Sequence, residues 1–222
     1  MLYLCKILAS TGKRVLLMDG TLQQKYGYRV GDHQPSLRVV EFEGFDIACH
    51  FVTGAAVEHH LQINGEHLDN YDYVLYDIEN LQFTSRNVWL TAEVRVWVSD
   101  YKRYNLERGK GWLERLLTEQ ELPEELAFQR MLINGVDCRL EAHYLWAYLE
   151  GGPFRWTGES LILPWDELSA AVQLENEHYY RVQLGPLSRN YKKSLCRVVE
   201  QLTGWEGVRS RRAIKEAGRL RA

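Results

Sequence analysis

The chain has 222 residues, 45% hydrophobic and 26% charged, which is enough apolar material for a full core and excludes disorder, collagen-like repeats and disulfide-stapled scaffolds. Its net charge of −3 is unevenly placed: residues 208–222 hold Arg209, Arg211, Arg212, Lys215, Arg219 and Arg221 against Glu216 alone, a balance of +5 that leaves −8 on the rest. An acidic body with a basic tail argues against a whole-surface nucleic-acid binder. No apolar run approaches the roughly 20 residues of a membrane-spanning helix, so any membrane role is peripheral. Cys5, Cys49, Cys138 and Cys196 show no CxxC spacing and no secretory signal precedes them, so they read as reduced core residues of a cytosolic protein.

In chain order, Tyr3 to Ser10 reads as a helix, Thr11-Gly12-Lys13 as a turn, and Arg14 to Asp19 as a buried strand ending in a carboxylate. Residues 36–42 and 45–51 alternate around Gly44, as a hairpin or two short strands. Asp72 to Asp77 is a second buried strand ending in an acid, followed by a polar loop with Glu79, Asn80 and Gln82. Ala92 to Ser99 forms a third strand, and Leu106, Trp112, Leu113, Leu116 and Leu117 then fall at helical spacing. Met131 to Asn134 is a fourth strand, leading into a helix over 140–149 with Leu140, Tyr144 and Tyr148 on one stripe. Leu161 to Pro164 is a fifth. The last long helix runs from Ser188 to Leu202, with Gly204 beyond its end.

Strands alternating with helical crossovers specify an α/β fold: a three-layer, mostly parallel, doubly wound sheet. One domain over 1–207 followed by a basic tail over 208–222 accounts for the whole length. In such sheets ligands bind beyond the carboxyl ends of the strands, where Asp19, Asp77, Ser99, Asn134 and Pro164 fall.

The ordered segments GKRVLLMDG, YDYVLYDIEN, AEVRVWVSD, MLINGVD, LILPWDE and LSRNYKKSLCRVVEQLTG resemble the ParA/MinD group of deviant-Walker P-loop ATPases, including its TadZ/CpaE-like pilus-positioning members. The resemblance covers nearly the whole chain. It implies that Asp77 is the Walker B acid, holding Mg²⁺ through water, that Asp19 and Thr21 lie near the γ-phosphate, and that Asn134, Pro164 and Asp166 border the adenine. The family often has a carboxylate where Thr21 stands, and a neutral hydroxyl cannot hold the attacking water in the same way.

The larger departure is at the start. The family's phosphate-binding GxxxxGK[ST] loop joins its first strand to its first helix, and that string is absent here, because Gly12-Lys13 opens a strand. Met1 falls a few residues into the first helix, so the P-loop-like fold reads as N-terminally incomplete. Either the chain is a shortened form or it is a pseudo-ATPase that lost its site. Omitting a central strand leaves two neighbours with open edges, which favours the shortened form. ATP and Mg²⁺ are cofactors only if an upstream loop is present, with weak ATPase activity at most in that case and no hydrolysis expected otherwise.

Simpler readings stand beside these. Asp19 and Asp77 also fit as strand-end acids that cap the next element. Asn134 before Gly135 fits a turn equally well, and Glu79 fits a solvated loop carboxylate better than a general base. His59, His60 and His67 match no familiar metal spacing. Trp97, Trp112, Trp146 and Tyr144 read as core aromatics. The tail reads first as a solvated basic helix end. The other two readings are weak contacts with nonspecific DNA or with a membrane surface through its six basic residues, since only Val208, Ile214 and Leu220 supply apolar surface.

The resulting expectation is a cytoplasmic, homodimeric, ATP-dependent positioning or assembly protein of pilus, secretion, partition or division type, peripheral at the inner membrane face where it meets a membrane. The alternative is a nucleotide-independent module that binds a protein partner.

Overall fold

The computed structural model describes residues 1–31, 36, 38–124, 126–140, 142–152 and 154–219. Leu220 and Arg221 of the basic tail lie outside the described residues. The elements in chain order are α1 (Leu2–Ala9), β1 (Val15–Gly20), α2 (Tyr26–Arg29), β2 (Arg38–Phe42), β3 (Phe45–Cys49), α3 (Gly54–Ile63) and β4 (Tyr73–Ile78). They continue as α4 (Arg86–Thr91), β5 (Val96–Ser99), α5 (Arg103–Glu119), β6 (Leu126–Gly135), α6 (Ala142–Ala147) and β7 (Phe154–Pro164). The chain ends through α7 (Glu167–His178), α8 (Arg189–Thr203) and α9 (Gly207–Ala217). It divides into two compact units: Met1–Thr84 with Ala171–Leu187 and Glu206–Ala222, and Ser85–Ala170 with Ser188–Trp205.

The first unit is built on a sheet of order β2-β3-β1-β4, parallel except for the β2–β3 pair. All six residues of β1 are buried, as expected of a parallel strand covered on both faces. Leu16 and Met18 point into a cluster with Val57 and Leu61 of α3, and α1 covers the opposite face of β1. The β2–β3 hairpin closes through a two-residue loop, Glu43-Gly44, with both φ angles positive (55° and 89°). That conformation matches the twist of the strands, and Gly44 adopts it without a steric cost.

β4 differs from the buried strand expected from YDYVLYD, because every residue from Tyr73 to Ile78 is only half-buried. Among the described residues it pairs with β1 alone, so its apolar sequence belongs to an edge. The segment set apart as a tail contributes α9, which buries Ser210, Ala213, Ile214 and Ala217 and packs on α1, with Ser10 Oγ donating to the Ala213 carbonyl at 3.1 Å. Its one exposed large apolar side chain is Val208, while Ile214 is buried.

The second unit holds a parallel sheet of order β5-β6-β7. On one face Met131 and Leu161 pack with Val198 of α8. On the other, the Trp97 ring lies so close to α5 that a Cβ at Gly109 would fall 2.7 Å from it, and Trp97 Nε1 donates to the Gly109 carbonyl at 3.2 Å. A glycine within this 17-residue helix is therefore required by the approach of the tryptophan, despite its poor helix propensity.

The expectation of an α/β fold with mostly parallel strands is met, with the strands distributed over two sheets. Trp97 and Trp146 are buried as expected, whereas Leu140 and Tyr144 are about half-exposed. α6 buries Leu145 and Trp146 instead, with Leu149 buried in the turn after it, because the neighbouring elements cover that side. Cys5, Cys49 and Cys196 are buried free thiols, and Cys138 departs from expectation in being exposed.

A buried ion pair ties the first unit together. Lys6 Nζ contacts Glu43 Oε2 with side chains 3% and 5% exposed, and Glu43 Oε1 accepts from Val182 N at 2.7 Å. Removing one partner strands a charge, so Glu43→Ala is expected to cost about 3–5 kcal/mol in urea unfolding, and the double variant Lys6→Met/Glu43→Leu clearly less than the sum of the singles. Additive losses would show that the two charges act independently.

Candidate functional site

Parallel pairing of β1 and β4 puts Asp19 directly opposite Asp77 at the carboxyl ends of both strands. The two acids inferred from sequence are therefore neighbours. Asp19 has no exposed surface, and a buried carboxylate needs donors for both oxygens. The chain after β1 supplies them: Asp19 Oδ1 accepts from Thr21 Oγ1 (2.6 Å) and Thr21 N (3.1 Å), and Oδ2 accepts from Tyr26 N (3.0 Å). Burial nevertheless raises the Asp19 pKa above the ordinary carboxylate value, with the hydrogen bonds from Thr21 and Tyr26 opposing it.

Tyr26 bridges the pair, its hydroxyl donating to Asp77 Oδ2 at 2.5 Å. Burial first, then the adjacent Asp77 charge, pushes the phenol pKa far up, so the proton stays on the tyrosine and the carboxylate accepts. Cys5, packed nearby in α1, is held as a neutral thiol by burial, with its pKa pushed up to about 12. Asp77 Oδ1 carries no hydrogen bond among the described residues. One uncommitted carboxylate oxygen suits a cation that keeps most of its water and takes its other ligands from phosphate, as Mg²⁺ does.

Glu79 acts as a clamp between the loops that follow β1 and β4. Its Oε2 accepts from Leu22 N (3.1 Å), Lys25 Nζ lies 3.5 Å from Oε1, and the backbone N–H groups of Glu79 and Asn80 both donate to the Gly20 carbonyl at 3.0 Å. These bonds assign it a structural role.

In the second unit Asn134 is exposed with φ of 55°, a left-handed position that asparagine tolerates well. Gly135 lies opposite Pro164, and Trp165 N donates to the Gly135 carbonyl at 2.7 Å, which brings Asn134 and the 164–166 loop together. Asp166 caps α7: Oδ1 accepts from Ser169 N and Oδ2 from Ser188 Oγ, both at 2.9 Å. Desolvation opposes its ionisation, but the bonds from Ser169 and Ser188 outweigh it and hold the carboxyl below its ordinary pKa. Its capping geometry is a complete account of its position.

The structure thus groups Asp19, Thr21 and Asp77 in one unit and Asn134, Pro164 and Asp166 in the other. Tyr26 was missed, because nothing in the spacing of a tyrosine seven residues after Asp19 marks it as the bridge to Asp77. Among the described residues no cluster of three or more His, Cys, Asp or Glu side chains is placed to hold a metal ion. No helix among them is long and apolar enough to cross a membrane.

No family model matches the sequence, and no curated protein matches it significantly. Solved structures do resemble it. A plasmid partition protein of Borrelia burgdorferi B31, bound to AMPPNP, superposes with a TM-score of 0.55 at 13% identity, covering 97% of this chain and 90% of its own. The MinD cell division protein of Aquifex aeolicus gives a TM-score of 0.52 at 15% identity, over 98% of this chain and 86% of its own. MinD in a MinC:MinD complex of the same organism gives 0.51 at 14% identity. At these identities the likeness establishes the fold, which is that of the ParA/MinD-like P-loop NTPases.

The raised Asp19 pKa sets a pH signature. The native state keeps this proton to higher pH than the unfolded chain, so native stability falls as the pH rises from about 4, the unfolded carboxylate value, through the raised native value. Asp19→Asn lacks that slope. Urea unfolding across this range should show the wild type losing ground to the variant as pH increases; parallel curves would mean that Asp19 titrates normally.

Proposed function

We propose that this chain is a ParA/MinD-like positioning or assembly protein whose state responds to Mg·ATP, serving a partition, division, pilus or secretion system. The observation that carries the reading is the Asp19–Asp77 pair, in register at the carboxyl ends of adjacent parallel strands and with Asp77 Oδ1 uncommitted. Bound nucleotide would supply the phosphate charge that a Mg²⁺ ion requires. Asp77 would hold the water shell of the ion, and the buried pair Asp19 and Thr21 would lie behind it on the γ-phosphate side. Asn134, Pro164 and Asp166 are assigned to the base by family resemblance.

The Thr21 hydroxyl already donates to Asp19, so it is a poor group for activating water, and residues 1–222 hold no GxxxxGK[ST] string. Slow turnover or none follows for this stretch of sequence, with affinity depending on a phosphate loop. A cytoplasmic homodimer that recruits a protein partner fits the same class. Its basic residues Arg209, Arg211, Arg212, Lys215, Arg219 and Arg221 would then make weak, salt-sensitive contacts with DNA or an anionic membrane face. With Ile214 buried, that contact is electrostatic.

One observation favours a second reading. Both oxygens of Asp19, both of Asp166 and one of Asp77 are already satisfied within the chain, as expected of a module that binds a protein partner without nucleotide.

Calorimetric titration with Mg·AMPPNP separates the two. The first reading expects binding that requires Mg²⁺ and weakens about tenfold or more, roughly 1.4 kcal/mol, in Asp77→Asn. Absence of binding by the wild-type chain transfers the assignment to the nucleotide-independent module.

A further inference from the structure

Some cations on the exposed helices of this chain have partners one turn away. Arg103 and Glu107, Arg115 and Glu119, and Arg212 and Glu216 are i, i+4 ion pairs at 2.8, 3.0 and 2.9 Å. Such pairs steady a solvated helix. On α8 a row of cations lacks such partners, as Arg211, Lys215 and Arg219 near the end of the chain also do, but the α8 row leads to a cleft. Arg189, Lys193 and Arg197 follow one another at i, i+4 and i+8, all exposed, and no carboxylate among the described residues pairs with any of them. Steps of four residues advance about 6 Å along the axis, so the three form a ridge about 12 Å long. Arg189 occupies the first turn, where the helix dipole disfavours a positive charge. Helix stability does not explain this arrangement.

The next position on the ridge is Gln201, at the edge of a cleft of about 230 Å³ that is also lined by Glu93, Arg95, Gln129, Thr157 and Gly158. Gln129 Nε2 donates to Gln201 Oε1 at 3.2 Å. Gln129 Oε1 and Gln201 Nε2 then remain as one acceptor and one donor with no hydrogen bond among the described residues, the complement of a peptide or carboxamide group. Gly158 keeps the cleft open. Its φ is 67°, and a Cβ there would lie 3.2 Å from the Gln129 amide nitrogen and 3.3 Å from Gln201 Oε1.

We propose that the α8 ridge and this cleft bind an acidic segment of a protein partner, its carboxylates along Arg189, Lys193 and Arg197 and a neutral amide group seated between Gln129 and Gln201. Three features favour a peptide over a nucleic acid. The ridge is a single row of cations, the cleft offers amide chemistry beside the Glu93 carboxylate and no aromatic wall for a base, and a net charge of −3 opposes a long polyanion more than a short segment. The surface is independent of the nucleotide reading.

The test is fluorescence anisotropy on the full chain with three probes: a labelled peptide bearing glutamate at every fourth position and a terminal glutamine, a labelled DNA duplex, and phosphatidylserine vesicles. The proposal expects the peptide to bind best, about tenfold or more weaker in Arg189→Glu/Lys193→Glu/Arg197→Glu and several-fold weaker in Gln201→Ala, with thermal melts unchanged. Peptide affinity unmoved by the charge reversals, no peptide binding, or preference for duplex or vesicles overturns it. Full affinity in Gln201→Ala removes the cleft from the site.

Discussion

The carboxylate of Asp19, buried at the end of a strand that is itself buried on both faces, dictates how the first unit is built. An ionised group in that position must be hydrogen-bonded on both oxygens, so the chain leaving β1 cannot run straight into solvent. It folds back to deliver Thr21 and then the Tyr26 amide. Once Tyr26 is placed by its own backbone bond, its side chain reaches Asp77 on the neighbouring strand. The Gly20 carbonyl, freed by the same turn, accepts from Glu79 and Asn80 and fixes the loop after β4. Two adjacent loops are therefore consequences of satisfying one buried acid.

This arrangement bears on how a nucleotide would act. On the proposed reading a Mg²⁺ water shell would need an acceptor on Asp77, and Tyr26 already occupies one of its two oxygens. Binding can use the remaining oxygen without disturbing the network, or it can displace the phenol. Displacement would be transmitted directly to Asp19, because Tyr26 touches both carboxylates, through its amide and its hydroxyl. The tyrosine is thus a physical coupling between the half-buried acid of β4 and the buried acid of β1, carried by one residue of a four-residue helix. Its high pKa keeps it a donor at any ordinary pH, so the coupling does not depend on titration of the phenol.

The elements with strong local signals were legible in the sequence, and those decided by tertiary neighbours were not. The apolar run before Asp19 and the Phe42-Glu43-Gly44-Phe45 turn carry their conformation in residue type, as do the Ser188 cap and Gly204 around α8. Periodicity cannot say how many neighbours a strand has, so the apolar residues of β4 looked like those of a central strand although among the described residues it pairs with β1 alone. The stripe on α6 failed for a related reason: Tyr144 and Trp146 are both aromatic, and only the surrounding elements choose which is covered. In the site, strand-end position identified Asp19 and Asp77, whereas Tyr26, whose role rests on a contact between residues 51 apart, left no local trace.

Charge, too, acquires meaning only from neighbours. The sequence marks 208–222 as the concentrated basic element, and a count of charges alone directs attention there. The structure divides the cations differently. α9 spends its apolar face on α1 and pairs Arg212 with Glu216, as a helix settled into its own protein does. α8 spreads its four basic residues over a longer helix and attracts no notice by density, yet its three ridge cations have no carboxylate partner among the described residues, and the first sits at the dipole end that disfavours it. A favourable arrangement within the chain was available, since α5 and α9 both use it. Arg211 and Lys215 of α9 also lack such partners, so what sets the α8 row apart is its continuation into the cleft where Gln129 and Gln201 meet.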